Sequence, residues 1–372
     1  MVMNAYSNLD PSVSITCSRF PEIVKVLAKF FVSRNVRAYL VGGIVRDAVL
    51  KRSITDIDLA VAADTSEIAS DLASATGSRV VPLDSARCIV RVIIPASQVI
   101  TVDISPIERD ILGDLSCRDF ALDAMAVSMA DLEVGNKQLQ IIDPHGGLAD
   151  LKSGSVTALA PSIFDDDAAR LMRGPRLAAQ LGFSLSEETK QWIRERAELV
   201  TGVASERVRD ELLKILAAPG ASASLRMLDE LCLLSSLFPE LDDARGVSQP
   251  QEHYWDVFDH SIETVGQVER IASRSYDSSD FVEQQLPDFP SFNEYFAELV
   301  SDGHTRLTLL KFAGLLHDIA KPSTKTVEST GRVRFIGHGK NGAEISAHIL
   351  DRLRLSSRGS ELICRMVEHH LR

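Results

Sequence analysis

Residues 39–61, YLVGGIVRDAVLKRSITDIDLAV, place a glycine pair directly after an apolar strand and two aspartates inside a second apolar run. Because side chains alternate between the faces of a strand, Asp56 and Asp58 should project from one face, about 7 Å apart along the backbone, with Ile57 and Leu59 in the core. Two carboxylates held in this way suit hard divalent cations with oxygen ligands, Mg²⁺ above all. The alternative is a pair of surface aspartates on an edge strand.

The glycine pair favours the cation interpretation because it suits a nucleotide phosphate. Without a Cβ, Gly42 and Gly43 let backbone N–H groups approach a phosphate, and they lead into a helix whose N-terminus favours anions. Arg46, on the first helical turn, can add a charge-assisted fork to the same triphosphate. Asp47 either orients Arg46 or favours the helix start. A nucleotide-binding turn followed by a metal-binding strand predicts phosphoryl or nucleotidyl transfer.

A further aspartate, Asp103 in the run VITVDIS, lies on a predicted neighbouring strand. It is either a third carboxylate of the cation site or a strand-end residue that caps a turn.

Length and composition indicate a protein of two or three domains. The chain has 372 residues, of which 45% are hydrophobic and 25% charged. No apolar run approaches the roughly 20 residues that span a bilayer, so a membrane partner is not expected. The N-terminus lacks the order of a secretory signal. Five scattered cysteines without a CxxC pair indicate reduced thiols and a cytoplasmic location: Cys17, Cys88, Cys117, Cys232 and Cys364.

The charge distribution separates one basic segment from an acidic chain. A net charge of −12 and a pI near 5.3 argue against indiscriminate nucleic-acid coating. Residues 170–214 nevertheless concentrate basic side chains, which form either a local RNA-binding surface or a solvated helix face. They are Arg170, Arg173, Arg176, Lys190, Arg194, Arg196, Arg207, Arg209 and Lys214.

The pattern of apolar residues predicts a change of architecture along the chain. Seven short apolar runs before residue 150 predict an α/β domain with one sheet, and helical spacing dominates after residue 160. Most histidines lie after residue 249. We therefore predict a flexible arm, an α/β head, an all-α neck and body, and a helical C-terminal domain that holds a mobile insertion. Their ranges are 1–19, 20–155, 156–248, 249–372 and, for the insertion, 273–304.

Five ordered motifs carry a family resemblance through most of the chain. They are LVGGIVRD with DID, CRDFALDAMAV, IIDPHGGLADL, DDDAARLMRGPRLAAQLGF and SERVRDEL. Together they resemble the bacterial-type (class II) tRNA CCA-adding enzyme and poly(A) polymerase family. The resemblance implies a polymerase-β-like nucleotidyltransferase head, followed by a helical neck and body.

The family resemblance also implies roles for individual residues. Asp56 and Asp58 would be the catalytic ligands of Mg²⁺, with Asp103 as the third candidate. The phosphates and sugar of CTP or ATP would be held by Gly42, Gly43, Arg46 and Arg118, with Asp119 and Asp123 of the same motif in the nucleotide site. Asp167 and Arg170 would read the base edge, because Asp supplies acceptors and Arg supplies parallel donors. Arg173 and Arg176, on the same helix face, would support base and triphosphate.

Several positions depart from the motifs of the family. Cys117 stands in place of an Arg, Asp123 in place of an Asn, and Asp166-Asp167-Ala168-Ala169 in place of Glu-Asp-Pro-Leu. The segment 105–116, SPIERDILGDLS, is short where many relatives have a long flexible loop that helps the switch from C to A addition. Addition of CC alone or of A alone is therefore an open alternative.

The histidine-rich region resembles an HD phosphohydrolase domain. The motif GLLHDIAKP contains His317 and Asp318, and His260 supplies the earlier histidine. Neutral imidazoles and a carboxylate suit a divalent transition metal that activates water against a phosphoester. Of the remaining histidines, His338, His369 and His370 would contribute ligands or bind phosphate, and His253 is less certain. The family's late Asp ligand does not occur before Arg372, so we expect the natural chain to continue or to have lost it.

The predicted function is template-independent addition of CMP and AMP to the 3′ end of tRNA, with release of pyrophosphate. Basic helices after residue 190 would hold the tRNA by shape and phosphates. The alternatives are a poly(A) polymerase, a partial enzyme that adds only CC or only A, an HD phosphohydrolase with a nucleotide-sensing head, and a structural RNA-binding protein. The sequence leaves the oligomeric state open.

Overall fold

The computed structural model describes five segments of the chain, residues 15–95, 99–134, 138–249, 254–273 and 291–371. The chain divides into two compact units, Met1–Ile163 and Phe164–Arg372. Three predicted features fall wholly or partly outside the described residues: positions 1–14 of the arm, His253, and positions 274–290 of the insertion. The predicted domain boundaries stay predictions.

A six-stranded mixed sheet organises the first unit. Its strands are β1 (Ala38–Val41), β2 (Asp56–Val61), β3 (Arg79–Asp84), β4 (Ile89–Ile94), β5 (Ile100–Pro106) and β6 (Ala126–Ser128). The order is β3-β4-β5-β2-β1-β6, in which β2 and β5 are parallel and all other neighbours are antiparallel. The single predicted sheet is confirmed.

Six of the seven predicted strand runs form strands, and the seventh differs. The run LQIIDP makes isolated bridges instead, Leu139 with Ile15 and Ile142 with Ala126. Ile15 is only 2% exposed, and Cys17–Arg19 form a 3-10 turn. The prediction of a loose arm is therefore wrong for residues 15–19, because burial of Ile15 fixes this segment against the head.

Helices pack around the sheet of the first unit. They are α1 (Glu22–Ser33), α2 (Gly43–Val49), α3 (Thr65–Thr76), α4 (Ile111–Ser116), α5 (Met129–Glu133) and α6 (Gly147–Ser153), with a 3-10 turn at Ala121–Asp123. In β2, Ile57 and Leu59 are buried while Asp56 is exposed, as alternation predicts. Segment 105–116 contains α4, whose N-cap Asp110 accepts a hydrogen bond from the Gly113 amide at 2.8 Å.

The second unit is mainly helical. After α7 (Ser162–Asp166), which contains the boundary between the units, follow α8 (Arg170–Leu181), α9 (Glu187–Arg194), α10 (Ser205–Ala217), α11 (Ala221–Glu230), α12 (Leu233–Leu237) and α13 (Pro239–Asp242). The C-terminal region holds α14 (Val257–Ala272), α15 (Phe292–Ala297), α16 (Arg306–Leu316), α17 (Lys321–Thr324), α18 (His338–Arg352) and α19 (Ser357–His369). The predicted helical texture after residue 160 is confirmed.

Short strands punctuate the chain after residue 150. They are β7 (Ser155–Val156), β8 (Ser184–Leu185), β9 (Leu299–Ser301), β10 (His304–Thr305), β11 (Lys325–Val327) and β12 (Val333–Phe335). The end of the predicted insertion is regular, because β9 and β10 pair as a hairpin and Phe292 and Val300 are buried. No helix in the described part of the chain is both long and apolar enough to cross a bilayer.

Candidate active site and histidine cluster

Asp58 occupies the centre of the predicted cation site. It lies on β2 directly opposite Asp103 on the parallel strand β5. Partial burial and, next, the charge of Asp103 raise the pKa of Asp58 to about 6, although the nearby Arg118 opposes the shift. A carboxylate destabilised by burial and by like charges suits a cation, so the donor set fits a hard metal ion.

The two flanking aspartates each accept from a neighbouring donor. Asp103 lies in the middle of β5, and Arg91 on β4 donates to both of its oxygens at 2.7 Å. Thr101 and Thr55 donate to the two oxygens of Asp56 at 2.9 and 3.0 Å. The strand-end alternative for Asp103 is wrong, since its carboxylate pairs across the sheet instead of capping a turn.

The carboxylates of the head do not form a tight trio. Among the described residues, the groups of three or more His, Cys, Asp or Glu ligand atoms within 4.8 Å of one another all lie in the histidine cluster of the second unit. Asp56, Asp58 and Asp103 share one face of the sheet, and the carboxylates of Asp103 and Asp56 accept hydrogen bonds from Arg91 and Thr101. Metal ligation by these three residues therefore stays a prediction.

The glycine turn faces Asp58. Gly42 has φ +75°, a conformation that favours glycine, and it is the N-cap of α2. A Cβ at this position would lie 3.8 Å from Asp58 Oδ2 and 3.0 Å from Arg118 Nη1. The acidic strand and the glycine turn thus meet, as the spacing in residues 39–61 predicts.

Arg118 adds positive charge on this side of the turn. Its Nε and Nη2 donate to Asp114 Oδ2 on α4 at 3.2 and 3.0 Å. This pairing directs Nη1 over Gly42, close to Asp58. Asp114 was not among the predicted site residues; it lies on α4, and Arg118 follows just after the end of that helix, four residues later.

Arg46 is paired inside the head. Its Nε and Nη2 donate to the two oxygens of Asp47 at 2.9 and 3.0 Å, and its Nη1 donates to Asp123 at 2.7 Å. Although burial opposes its charge, Asp123 and Asp47 hold the pKa of Arg46 above its ordinary value. Of the two predicted roles for Asp47, orientation of Arg46 is the one that the contacts support.

The turn that carries Asp123 packs against the segment IIDPHGG, to which no function was assigned from the sequence. A Cβ on Gly147 would lie 2.4 Å from the carbonyl oxygen of Ala121, so only glycine fits there. Asp143 accepts from the amides of Gly147 and Leu148 at 2.7 and 2.9 Å. Asp119 is buried and accepts from the Phe120 amide at 3.0 Å. The segment IIDPHGG therefore supports the turn.

The predicted base-reading residues lie in the second unit. Arg207 donates to both oxygens of Asp167 at 2.9 and 2.7 Å, and the Ala169 amide donates to the same carboxylate at 3.1 Å. Partial burial works against ionisation, yet these bonds leave the pKa of Asp167 below its ordinary value. Asp167 is thus preorganised by Arg207, a residue that the sequence identified only as part of a basic segment.

The three predicted arginines all lie on α8. Arg170 and Arg173 occupy its first turn and a half, and Arg176 follows inside the same helix. Arg176 donates to Glu211 on α10 and to Gln180, both at 2.5 Å, so its charge is balanced within the unit. The shared helix is confirmed, whereas contact of these residues with a nucleotide stays a prediction.

The basic segment is largely neutralised by acidic neighbours. Lys190 pairs with Glu187, Arg196 with Asp165, Arg207 with Asp167 and Arg209 with Asp210. Such partly exposed pairs contribute little stability and can exchange partners. An RNA phosphate would therefore compete with these carboxylates.

The C-terminal histidines converge on one buried carboxylate. Asp318 is 1% exposed. Its Oδ2 lies 3.5 Å from His260 Nε2 and 3.0 Å from His317 Nε2, while its Oδ1 lies 3.4 and 3.6 Å from the Nε2 atoms of His338 and His370. The structure brings the ligand atoms of His260, His317 and Asp318 within 4.8 Å of one another, a group that could hold a metal ion, while metal binding there stays a prediction. A second group contains Asp318, His338 and His370.

The imidazoles of this cluster have a defined orientation. The Nδ1 atoms of His317, His338 and His370 each contact a backbone carbonyl oxygen, at 2.8, 2.6 and 2.7 Å. An Nδ1–H that donates there leaves Nε2 as an acceptor, which is the tautomer of a metal-binding histidine. The Nε2 atoms of His338 and His370 are 3.1 Å apart, a distance that requires a proton or a cation between two lone pairs.

The carboxylate of Asp318 also fits a cation. Neither oxygen has a hydrogen bond of good geometry, although the Lys321 ammonium lies 2.7 Å from Oδ2. Burial would raise the pKa of Asp318, but His317, His338 and His370, when they carry a proton on Nε2 in place of a metal ion, would hold it well below its usual range. The cluster lies in a cavity of about 700 Å³ lined also by Phe335, Met366 and other apolar side chains. His369 is outside the cluster, 3.9 Å from Glu368.

Comparison with known proteins agrees with this geometry. Residues 38–157 match the family described as "Poly A polymerase head domain". Residues 182–245 match the family described as "Probable RNA and SrmB- binding site of polymerase A", and residues 257–372 match the family described as "HD domain". The class of protein is therefore a nucleotidyltransferase with an HD domain. Both kinds of domain are metal-dependent in general.

Individual relatives identify the family more narrowly. An A-adding tRNA nucleotidyltransferase from Deinococcus radiodurans is 33% identical over 340 residues, which are 90% of this chain and 68% of that protein. A CC-adding tRNA nucleotidyltransferase from Thermus thermophilus is 28% identical with the same two coverages, 90% and 68%. The solved structure of the Thermotoga maritima CCA-adding enzyme complexed with tRNA has a TM-score of 0.60 at 20% identity, covering 94% of this chain and 80% of that one.

The chain belongs to the bacterial-type tRNA CCA-adding enzyme and poly(A) polymerase family, with an HD domain. The predicted fold class and the predicted nucleotidyltransferase class are confirmed.

Proposed function

We propose that this protein adds CMP and AMP to the 3′ end of tRNA without a template and releases pyrophosphate. The observation that carries the proposal is the position of Asp58, half-buried opposite Asp103 and close to both the Gly42 turn and Arg118. Paired carboxylates beside a glycine turn and an arginine suit a nucleoside triphosphate and its metal ion. The names of the relatives support tRNA as acceptor, and the A-adding and CC-adding activities that they state imply ATP and CTP as substrates.

The residues of the head supply binding, orientation and charge. Asp56 and Asp58, with Asp103 as the third candidate, would hold Mg²⁺, which when bound neutralises phosphate charge and activates the attacking 3′-hydroxyl. The backbone of Gly42-Gly43 and the Arg118 guanidinium would orient the triphosphate for in-line attack at the α-phosphate. Asp119, buried and adjacent to Arg118 in sequence, would support this part of the site.

Asp167, which lies just before α8, and the arginines of α8 would select the base. Asp167, held by Arg207, presents acceptors, and Arg170 presents donors, so the two can match the Watson–Crick edge of cytosine or adenine. Arg173 and Arg176 would support the base and the triphosphate from the same helix. The basic residues after 190 would bind tRNA phosphates by exchanging their present acidic partners.

Which bases are added is the finer part of the proposal. The two relatives with equal coverage carry the names A-adding and CC-adding, and segment 105–116 runs from the end of β5 into the short capped helix α4 without a long loop. These observations favour addition of A alone or of CC alone as the second candidate. A poly(A) polymerase differs from all three in its acceptor.

Three tRNA acceptors separate these activities. Purified protein is incubated with tRNA that ends before the CCA tail, after the first CC, or complete, each with CTP, ATP or both. Ordered C, C, A on the shortest acceptor supports full CCA addition. Growth only on one acceptor with one nucleotide identifies a partial enzyme. Long A tracts on unrelated RNA would refute the proposal.

We further infer a metal-dependent phosphohydrolase site at Asp318. His260 and His317 on one oxygen and His338 and His370 on the other supply ligands for a divalent transition metal, independently of the late Asp of the family motif. A bound metal supplies a nucleophilic water at neutral pH. Hydrolysis of a generic phosphoester that requires added metal and Asp318 would support this activity, and hydrolysis unaffected by Asp318→Asn would exclude it.

A further inference from the structure

Arg91 lies in a row of side chains that crosses the sheet of the head at the level of Asp58. Asp58 on β2 is opposite Asp103 on β5, and Asp103 is in turn opposite Arg91 on β4. Because side chains alternate along each strand, these three project from one face, and Val81 on β3 continues the row. Arg91 belongs to none of the five sequence motifs, so its place beside the two aspartates comes from the fold alone.

The Gly42 turn and Arg91 lie on opposite sides of the two aspartates. In the sheet order β4-β5-β2-β1, the Gly42 turn follows β1, next to β2, whereas β4 lies beyond β5. In-line displacement at an α-phosphate puts the attacking hydroxyl opposite the leaving pyrophosphate. With the pyrophosphate held at the Gly42 turn, the 3′ end of the acceptor has to approach from the side of β5 and β4.

The β4 side of this face is partly exposed and mainly apolar around one cation. The side chain of Arg91 is 37% exposed, and Ile89, Ile93 and Val81 on the same face are half-buried. On the β2 side, by contrast, helix α4 packs over Ala60. Apolar side chains around an arginine suit a nucleotide, which combines a sugar and a base with an anionic phosphate.

The guanidinium of Arg91 is held in a fixed orientation with donors to spare. Its Nε and Nη2 donate to the two oxygens of Asp103, both at 2.7 Å. This side-on fork uses two of the five N–H groups of an arginine, and both N–H groups of Nη1 lie outside it. Asp103 therefore orients a cation at the edge of the site, where a phosphate can be bound without further ordering of the side chain.

We propose that Arg91 binds the last phosphodiester of the acceptor RNA and thereby places the terminal 3′-hydroxyl beside Asp58 and Asp103. The ligand is the 3′-terminal nucleotide of a single-stranded RNA end, with its phosphate on Nη1 and its sugar and base against the apolar residues beside Arg91. This proposal rests on the nucleotidyl transfer proposed for the head. It assigns the β4 side to the acceptor, whereas the Gly42 turn and Arg118 would hold the incoming nucleotide.

A thermodynamic cycle between Arg91 and the phosphate tests the proposal. Binding of labelled acceptor tRNA is measured by fluorescence anisotropy in Mg²⁺ without CTP or ATP, so that no nucleotide is added. A neutral methylphosphonate in place of the last phosphodiester should weaken binding to the wild type about 10-fold, the size expected for a charge-assisted hydrogen bond. In Arg91→Ala the same replacement should change Kd less than about 2-fold. Arg91→Lys keeps the charge and should recover part of the sensitivity.

Two other roles for Arg91 predict different results. If Arg91 only orients Asp103 toward a metal ion, the methylphosphonate changes Kd by the same factor in the wild type and in Arg91→Ala. If Arg91 holds the triphosphate instead, Arg91→Ala raises KM for CTP or ATP and leaves Kd for the acceptor unchanged. Either result would overturn the proposal, under which KM for the nucleotide changes less than about 3-fold.

Arg87 provides the matched control. It is 67% exposed in the same head, between β3 and β4, and lies 3.9 Å from Asp84. Arg87→Ala should keep the full sensitivity to the methylphosphonate. Because each comparison uses two RNAs on one protein, any unfolded fraction of Arg91→Ala cancels from the ratio of the two Kd values.

Failure of the proposed function is distinguishable from failure of this assignment. If the wild-type protein adds no nucleotide to any acceptor, nucleotidyl transfer to tRNA is refuted. The binding cycle on tRNA that ends before the CCA tail then still decides the role of Arg91. Equal methylphosphonate effects in the wild type and Arg91→Ala would refute phosphate binding by Arg91 even if the wild type adds nucleotides.

Discussion

Asp58 and Asp103 are directly opposed on the parallel strands β2 and β5, yet their carboxylates have different surroundings. Asp103 has a bidentate partner in Arg91, whereas Asp58 is half-buried and its pKa is raised to about 6. The ionised form of Asp58 is destabilised by its surroundings, and a bound cation would stabilise it. This difference makes Asp58 the more sensitive residue to substitution and to pH.

The first prediction concerns stability without metal. Since the pKa of Asp58 is raised from near 3.8 to about 6, the folded state keeps a proton that the unfolded state loses between these values. Stability therefore falls as pH rises through this window and stays reduced above it. Asp58→Asn should raise the free energy of unfolding by about 1–3 kcal/mol at pH 8, measured in urea with a chelator. The gain should vanish at pH 4, and a gain at that pH would contradict the account.

The second prediction concerns metal affinity. A proton on Asp58 competes with a cation, so the apparent affinity for Mg²⁺ should fall as pH decreases below about 6. Nucleotide incorporation measured across Mg²⁺ concentrations at pH 5.5 and 7.5 checks this. High Mg²⁺ should restore most of the lost rate at the lower pH. A loss that Mg²⁺ cannot restore would assign the titration to another group.

The third prediction compares two glycines. Gly42→Ala places a Cβ 3.0 Å from Arg118 Nη1 in a left-handed conformation, so kcat/KM should fall at least about 10-fold. Gly77 has φ +66° with open space around its Cβ position, so Gly77→Ala costs only about 1 kcal/mol of stability. Steady-state kinetics of both variants distinguish a loss of phosphate binding at the Gly42 turn from the general effect of backbone strain. Equal losses of activity in the two variants would contradict phosphate binding by the Gly42 turn.

The fourth prediction compares two adjacent histidines. His370→Ala removes a ligand atom from the Asp318 cluster, whereas His369→Ala alters a side chain outside it. We expect His370→Ala to lower bound metal and phosphohydrolase activity at least about 10-fold, and His369→Ala to leave both unchanged. Metal content by mass spectrometry provides a readout besides activity. Equal metal content in the two variants would exclude His370 as a ligand.

Much of the head could be predicted because its signals are local. Alternation in DIDLAV fixed which residues of β2 face the core, and the glycine pair marked the turn before α2. The pairing of Arg46 with Asp123 could not be predicted, since the two residues are far apart in sequence and an arginine near a glycine turn looks like a phosphate ligand. Only tertiary packing brings the Arg46 guanidinium within hydrogen-bonding distance of Asp123.

In the histidine cluster, too, the sequence predicted some members, and only the fold showed the others. The sequence pointed to His260, His317 and Asp318 because the HD motif is contiguous and His260 lies upstream on a helix. It did not show which of His338, His369 and His370 face Asp318. Consecutive positions on a helix differ by about 100° in direction, and the sequence alone does not fix which side of the helix faces the cluster. The end of α19 places His370 toward Asp318 and His369 away from it.

The most direct test is incorporation of labelled CTP and ATP into tRNA that lacks its 3′ tail, with wild-type protein and with the Asp58→Asn variant, which should be at least as stable. The account predicts nucleotide addition and pyrophosphate release by the wild type, and a loss of at least about 100-fold in the folded variant. Equal incorporation by the two proteins, at saturating Mg²⁺ and nucleotide, would contradict it.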